Sequence, residues 1–120
     1  MKIALTATGK DISSDIDPRF GRAQLFLIVD SDTMAVEVVE NKQNLALPQG
    51  AGIQAAQTIA SYKTDVLITG NCGPKAFKVL ETAGIKIVIG AAGRIEDVIG
   101  RYKKGGLGPT AEANVEGHWV

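Results

Sequence analysis

With 120 residues, the chain has the length of one ordinary domain and is too short for two. Its 13 basic residues balance its 13 acidic ones, which argues against a broad nucleic-acid-binding surface. No stretch approaches the roughly 18 apolar residues of a membrane span, and the N-terminus lacks the apolar core of a signal peptide. A single cysteine, Cys72, cannot form an internal disulfide, so we expect a cytoplasmic protein without a membrane partner.

The first part of the chain predicts three strands. Residues 2–6 form the first strand, and a long loop rich in turn-forming residues follows over 8–21. The apolar run 25–29 predicts a buried strand, and the partly alternating pattern at 34–40 predicts a half-buried one. The short polar link between these two strands indicates an antiparallel hairpin.

The second part alternates helices with strands. Helices are predicted over residues 50–62, from Pro74 to the C-cap glycine Gly84, and over 94–103, with buried strands at 65–69 and 85–89. This alternation predicts parallel strands with right-handed crossovers. We therefore expect one α/β domain over residues 1–104, with the element order βββαβαβα, a mixed five-stranded sheet in a ribonuclease H-like layout, and a flexible tail over 105–120.

Glycine-rich turns lie where three of the predicted strands lead into helices. They contain Gly50 and Gly52, Gly70 and Gly73, and Gly90 and Gly93. Ligands of open α/β sheets gather beyond the carboxyl ends of the strands, and helix N-termini there present backbone N–H groups to anions. The pattern predicts an anion-binding edge, although glycines also occur simply because tight turns require them.

Charged and sulfur-containing side chains accompany these turns. Arg19 and Arg22 lie in the long first loop and are suited to multi-oxygen anions, unless they are solvated charges paired with Asp15 and Asp17. Cys72 directly precedes the second helix, whose dipole is expected to lower the pKa of the thiol, although a free cysteine also commonly fills a buried turn. His118 is expected to be exposed in the tail.

Catalytic motifs are missing from the sequence. There is no P-loop signature, and the G-x-G-x-x-A pattern from Gly50 to Ala55 begins nine residues after the preceding strand, which disfavours dinucleotide binding. The first and fourth strands end in threonines, Thr6 and Thr69, where a two-metal nuclease would need carboxylates. We therefore expect a binding protein and not an enzyme.

Several of these segments together resemble the dinitrogenase iron–molybdenum cofactor biosynthesis family. They are Asp-Pro-Arg-Phe-Gly-Arg-Ala at 17–23, Asn41, Gly-Ala-Gly at 50–52, and Thr-Gly-Asn-Cys-Gly-Pro at 69–74. The resemblance covers about residues 1–104 and implies a ribonuclease H-like fold. It also implies a non-catalytic carrier or store of the iron–molybdenum cofactor or its iron–sulfur precursor. Many such carriers have histidine before the Phe-Gly pair, where this chain has Arg19.

The sequence and the resemblance lead to one prediction of a site and two of function. The predicted metal ligand is Cys72, and the predicted ligand-binding residues are Arg19, Phe20, Gly21, Arg22, Asn41, Gly50, Gly52, Gly70, Asn71 and Gly73. The first function is a carrier or chaperone of an anionic iron–sulfur-type metallocluster, with cluster donor or acceptor proteins as partners. The alternative is a regulatory or scaffold domain that binds a small organic anion or nucleotide without metal.

Overall fold

A mixed β-sheet organises the chain, for which the computed structural model describes residues 1–41 and 50–108. Within these residues the strands are β1 (Lys2–Ala7), β2 (Leu25–Asp30), β3 (Val36–Glu40), β4 (Val66–Ile68) and β5 (Lys86–Val88). The sheet order is β3-β2-β1-β4-β5, with β1, β4 and β5 parallel and β2 antiparallel to both β1 and β3. The predicted hairpin and the predicted five-stranded mixed sheet are confirmed.

Three helices in the described residues cover the two faces of the sheet. They are α1 (Ala51–Ser61), α2 (Pro74–Thr82) and α3 (Ile95–Lys103), which confirms the predicted element order. Side chains of α1 and α2 share one buried cluster, and those of α3 belong to the other. α2 ends at Thr82 with Ala83 as its C-cap, so the predicted C-cap glycine, Gly84, lies one residue further on; its φ of +80° is a conformation that suits glycine after a helix C-terminus.

Alternate residues of the central strands contribute side chains to the two buried hydrophobic clusters, one on each face of the sheet. Ala4 of β1 and Phe26 of β2 point toward α1 and α2, whereas Ile3 and Leu5 point toward α3. Both faces of these strands are buried, and this explains why they form continuous apolar runs in the sequence. The common direction of β4 and β5 places the turns that lead into α2 and α3 at the same edge of the sheet.

The boundaries of some elements differ from the prediction. β3 begins at Val36 and not at residue 34, because Met34 adopts a left-handed turn conformation with φ of +62° and donates its N–H to the Asp30 carbonyl. Most of the predicted second loop and of the predicted tail lies outside the described residues. In the described ranges, no helix is long and apolar enough to cross a membrane.

Candidate functional site

Three segments meet at the edge where the parallel strands end. They are the β1–β2 loop (residues 8–24), the β4–α2 turn (69–73) and the β5–α3 turn (89–94). α1 runs antiparallel to β4, so it also begins at this edge, which we call the carboxyl edge. Ligand sites of open α/β sheets form at this position, because loops and helix N-termini converge there.

The first half of the β1–β2 loop closes the beginning of α3. The N–H groups of Ile95 and Glu96 donate to the carbonyls of Ser14 and Ile12, both at 2.9 Å, and Ile16 donates to the Gly93 carbonyl at 2.8 Å. The bonds from Ile95 and Glu96 satisfy two of the donors that a helix N-terminus otherwise leaves unpaired, and the bond from Ile16 holds the loop to the turn before α3. The β5–α3 turn therefore does not supply an anion site, and the expectation from its glycines is wrong for this turn.

The second half of the β1–β2 loop docks on the β4–α2 turn. The Phe20 N–H donates to the Asn71 carbonyl at 3.2 Å, and Asn71 Nδ2 donates to the Pro18 carbonyl at 2.8 Å. A Cβ atom at Gly70 would lie 2.8 Å from both the Cα and the carbonyl oxygen of Pro18. Gly70 is thus required by close approach of the protein's own backbone, and Asn71 fastens the loop to the turn.

Phe20 and Asn41 anchor the docked loop. The Phe20 side chain is fully buried beneath α1 and α2, with its ring centroid 5.7 Å from that of Phe26. Asn41 Nδ2 donates to the carbonyls of Gly21, at 3.1 Å, and Ala23, at 2.7 Å. Asn41 Oδ1 is buried and has no hydrogen-bond partner in the described part of the chain. The structure gives both side chains a role in fixing the loop.

Two buried hydroxyl groups stand at the ends of the central parallel strands. Thr6 Oγ1 donates to the Asp17 carbonyl at 2.7 Å and lies 2.9 Å from Thr69 Oγ1, and both threonines are fully buried. Because the Thr6 proton points to Asp17, the Thr69 hydroxyl donates to Thr6. This pair links the loop to β1 and β4 and places no ionisable group at the strand ends.

α1 begins without capping by the loop. Gly50, the N-cap, has φ of +97° and accepts the N–H of Gln54, and no side chain caps this end of the helix. The N–H groups of Ala51, Gly52 and Ile53 have no acceptor among residues 1–41 and 50–108. These donors carry the positive end of the helix dipole.

α2 begins in the same way on the same face of the sheet. Gly73 is the N-cap in an extended conformation, and Pro74 occupies the first turn, where its missing N–H costs nothing. Among the described residues, the N–H groups of Lys75 and Ala76 have no acceptor. α1 and α2 together therefore present unpaired donors at the carboxyl edge, which α3 does not.

Exposed cations accompany these donors. The backbone of Arg19 pairs with that of Asn71, three residues before the start of α2, and the Arg19 N–H donates to Asp17 Oδ1 at 3.0 Å. Within the described part of the chain, Arg19, Arg22 and Lys75 form no ion pair, so the alternative of arginines paired with Asp15 and Asp17 is not found there. Lys75 was not among the predicted ligand-binding residues. Its position directly after Pro74, in the first turn of α2, is the sequence feature that could have indicated it.

Cys72 lies in the hydrophobic core and not at the surface of the site. Its side chain is fully buried with residues of α1 and α2, and burial raises the pKa of the thiol to about 12. The predicted lowering of its pKa by α2 is wrong, because desolvation of the thiolate outweighs the helix dipole. Its role as a metal ligand stays a prediction. No group of three or more histidine, cysteine or acidic residues able to hold a metal ion occurs among the described residues.

The structure thus sorts the predicted site residues. Arg19, Phe20, Gly70, Asn71 and Gly73 come together where the loop docks on the start of α2. Gly21 and Arg22 belong to the turn held by Asn41, and Gly50 and Gly52 form the start of α1. Of these, Arg19 and Arg22 are exposed and Gly50 is partly exposed, whereas Gly52 and Gly73 are buried and Phe20 and Gly70 serve the packing of the loop.

The fold and this edge define a small single-sheet α/β protein with a basic, donor-rich edge at the carboxyl ends of its parallel strands. A family model described as dinitrogenase iron-molybdenum cofactor matches residues 1–105. The chain belongs to this family.

Three similar proteins, two of them of known structure, agree with this assignment. The apo form of the orange protein from Desulfovibrio gigas is 43% identical, with a TM-score of 0.91 over 95% of this chain and 96% of that one. The Thermotoga protein TM1290 is 34% identical, with a TM-score of 0.80 over 97% of this chain and 98% of that one. An uncharacterized protein of Methanocaldococcus jannaschii is 31% identical over 110 residues, 89% of each chain. The similarity therefore extends over nearly the whole domain.

Proposed function

We propose that the protein is a non-catalytic carrier or chaperone of an anionic iron–sulfur-type metallocluster, such as the iron–molybdenum cofactor or its precursor. The family supports a cofactor-related role, and the similar orange protein was solved in an apo form, which implies a bound form of that protein. Cluster donor and acceptor proteins are the partners that such a role requires. The sheet order with an antiparallel β2 supports a ribonuclease H-like classification of the fold.

The observation that carries the proposal is the pair of open helix starts at the carboxyl edge. The first N–H groups of α1 and α2, which have no acceptor among the described residues, lie at the same edge and on the same face of the sheet, where Arg19 and Lys75 are exposed. Backbone donors at helix N-termini bind anions without help from ionisable groups, and arginine adds charge and directed hydrogen bonds. We therefore propose that a large anion binds at this edge, on the face of the sheet that α1 and α2 share.

The chemistry of the available groups favours binding through charge and hydrogen bonds over direct ligation of a metal. A thiol with a pKa of about 12 is protonated at neutral pH, and only a thiolate is a good ligand. A cluster that brings its own sulfide and organic ligands presents a negative surface to the site. This mode of binding also suits a carrier, because no metal–protein bond has to break when the cluster is released.

The same observation favours the second candidate, a domain that binds a small organic anion or nucleotide without metal. Helix N-termini and arginines recognise carboxylates and phosphates as well as clusters. The ligands of the two candidate functions differ, because a metallocluster is larger and absorbs visible light, whereas a small organic anion or nucleotide does not. One titration can therefore distinguish the two functions.

The test is anaerobic titration of the full chain with extracted iron–molybdenum cofactor, followed by visible absorbance and iron content. We expect saturable uptake by the wild type and weakening by about fivefold or more for Arg19→Gln, because one favourable charge contact is lost. Lys104→Gln is the matched control, since it removes the same charge from an exposed position at the C-terminus of α3.

Equal weakening in the two variants would contradict a specific role for the carboxyl edge. No uptake by the wild type, together with saturable binding of a nucleotide that Arg19→Gln weakens, would replace the carrier by the small-anion domain. The Cys72→Ser variant tests direct ligation: unchanged cofactor affinity in the folded variant supports binding without a protein thiolate, and a tenfold loss would restore Cys72 as the ligand.

A further inference from the structure

A cavity lies at the edge of the sheet opposite the carboxyl edge. It has a volume of about 430 Å³ and is lined by Met1, Ser31, Lys86, Tyr102, Lys103 and Leu107. Its walls come from the beginnings of β1 and β5, the residue after β2, and the last turn of α3. We call it the amino-edge pocket. Its volume falls in the range typical of small-molecule sites.

Hydrogen bonds within the protein fix one side of the pocket. Lys103 Nζ donates to the Ser31 carbonyl at 2.7 Å, and this bond ties the end of α3 to the turn after β2. The last turn of α3 is closed by the chain itself, since Gly105 and Gly106 donate their N–H groups to the carbonyls of Tyr102 and Arg101. These bonds reduce the unpaired negative charge that a helix C-terminus would present to an anion.

The other side of the pocket offers polar groups that are not used. In the described part of the chain, the Lys86 ammonium and the Tyr102 hydroxyl have neither an ion pair nor a hydrogen-bond partner, and Tyr102 is half-buried. The Asp32 carboxylate lies 3.8 Å from the Met1 amino group, and Asp32 does not line the pocket. Two lysines with no carboxylate in the lining favour an anion.

The remaining lining is apolar. The Met1 and Leu107 side chains and the Tyr102 ring provide hydrocarbon surface beside the two ammonium groups. A bare inorganic anion would leave this surface exposed to water, whereas an anion with an apolar body would cover it. We infer that the amino-edge pocket binds a small organic anion consisting of a carboxylate or similar group attached to an aromatic or aliphatic body.

The test is a titration of ¹⁵N-labelled full-length protein with 4-phenylbutyrate, monitored by amide chemical shifts. We expect saturable shifts at Ser31, Lys86, Tyr102 and Leu107, with a Kd of about 1 mM for a ligand of this size. The neutral analogue 4-phenylbutyramide has the same body without the charge. It is expected to bind at least about fivefold more weakly.

Two variants and a control locate the interaction. Lys86→Gln is expected to weaken binding of 4-phenylbutyrate about fivefold, and Tyr102→Phe about twofold to fivefold. Neither change should unfold the protein, because neither polar group has a partner among the described residues. Lys104→Gln removes the same charge just outside the pocket and is expected to leave the affinity unchanged.

Four results would each overturn the inference. They are the absence of saturable shifts at the lining amides, equal affinity for the amide analogue, unchanged affinity in Lys86→Gln, and an equal loss in Lys104→Gln. Because the pocket and the carboxyl edge share no residues, this outcome is independent of the cluster titration.

Discussion

The beginnings of the three helices differ although all three follow glycine-containing turns at the same edge of one sheet. α3 receives two carbonyls, those of Ile12 and Ser14, on its first N–H groups, whereas α1 and α2 receive none from the described residues. The cause is the path of the β1–β2 loop, which crosses the start of α3 and then descends into the core at Phe20. Similar glycine-containing turns can therefore lead to different helix starts. Where the β1–β2 loop covers the start, its carbonyls accept the first N–H groups, and where it does not, these groups remain available for a ligand.

The largest expected effect comes from removing the anchor of that loop. Phe20→Ala deletes a fully buried ring in contact with Phe26, and should lower the free energy of unfolding by about 3–5 kcal/mol. Urea denaturation measures it. Arg22→Ala, an exposed change two residues away, should cost less than about 0.5 kcal/mol. Comparable losses for the two variants would mean that the loop is not held by Phe20.

A smaller loss is expected where the loop approaches the β4–α2 turn. Gly70→Ala places a Cβ 2.8 Å from Pro18 backbone atoms and should cost about 1–3 kcal/mol, since the loop must shift. Gly100→Ala is the matched control: its Cβ meets nothing within 4 Å in the middle of α3, so it should stabilise the protein by about 0.5–1 kcal/mol. The same sign for both variants would contradict the close packing at Gly70.

The raised pKa of Cys72 predicts that the stability of the protein depends on pH. The unfolded thiol ionises near pH 9, but the folded thiol does so only near 12, so above pH 9 the folded state binds more protons than the unfolded state. The contribution of Cys72 to stability is complete below pH 9 and decreases as the pH rises toward 12.

We expect the stability difference between wild type and Cys72→Ala to shrink by about 2 kcal/mol between pH 8 and pH 10.5, because one pKa unit corresponds to about 1.4 kcal/mol. Denaturation of both proteins at the two pH values measures this, and the variant corrects for the titration of lysines and tyrosines. A constant difference would show that the folded thiol ionises normally, and would reopen Cys72 as a thiolate at the site.

The smallest expected effect is the binding of a simple anion to the N–H groups at the helix starts. Sulfate added to ¹⁵N-labelled protein should produce saturable amide shifts at Ala51 and Lys75, because these residues are at least partly exposed and their N–H groups have no acceptor among the described residues. The amides of Ile95 and Glu96 already donate to carbonyls and should remain nearly unchanged. Shifts of equal size at α3 would remove the distinction between the helix starts on which the proposed function depends.

Much of the fold follows from local patterns. The continuous apolar runs of β1 and β2, the proline at the start of α2 and the glycine after its end predict elements that the structure contains. The error at the start of β3 arises because Met34 has no sequence feature that marks a left-handed turn; the turn is set by hydrogen bonds from the N–H groups of Asp32 and Thr33 to Asp30 Oδ1.

The candidate site was less predictable, because several of its residues have roles that depend on distant partners. Gly70 has the character of a ligand-approach glycine in the sequence, yet it is Pro18 that approaches it. Cys72 has the sequence position of an activated thiol, but the packing of α1 and α2 buries it. The lining of the amino-edge pocket joins residues from both ends of the domain, and no local pattern connects them.

By itself, the sequence determined the alternation of strands and helices, the hairpin, the family and the edge of the sheet where the glycine-rich turns lie. These depend on periodicity, turn residues and local motifs, which act within a few residues. Only the tertiary structure decided which helix start the β1–β2 loop covers, which glycines serve packing, and that the pKa of Cys72 is raised and not lowered. These properties depend on burial and on hydrogen bonds between residues far apart in the chain, so they exist only after the β1–β2 loop has docked.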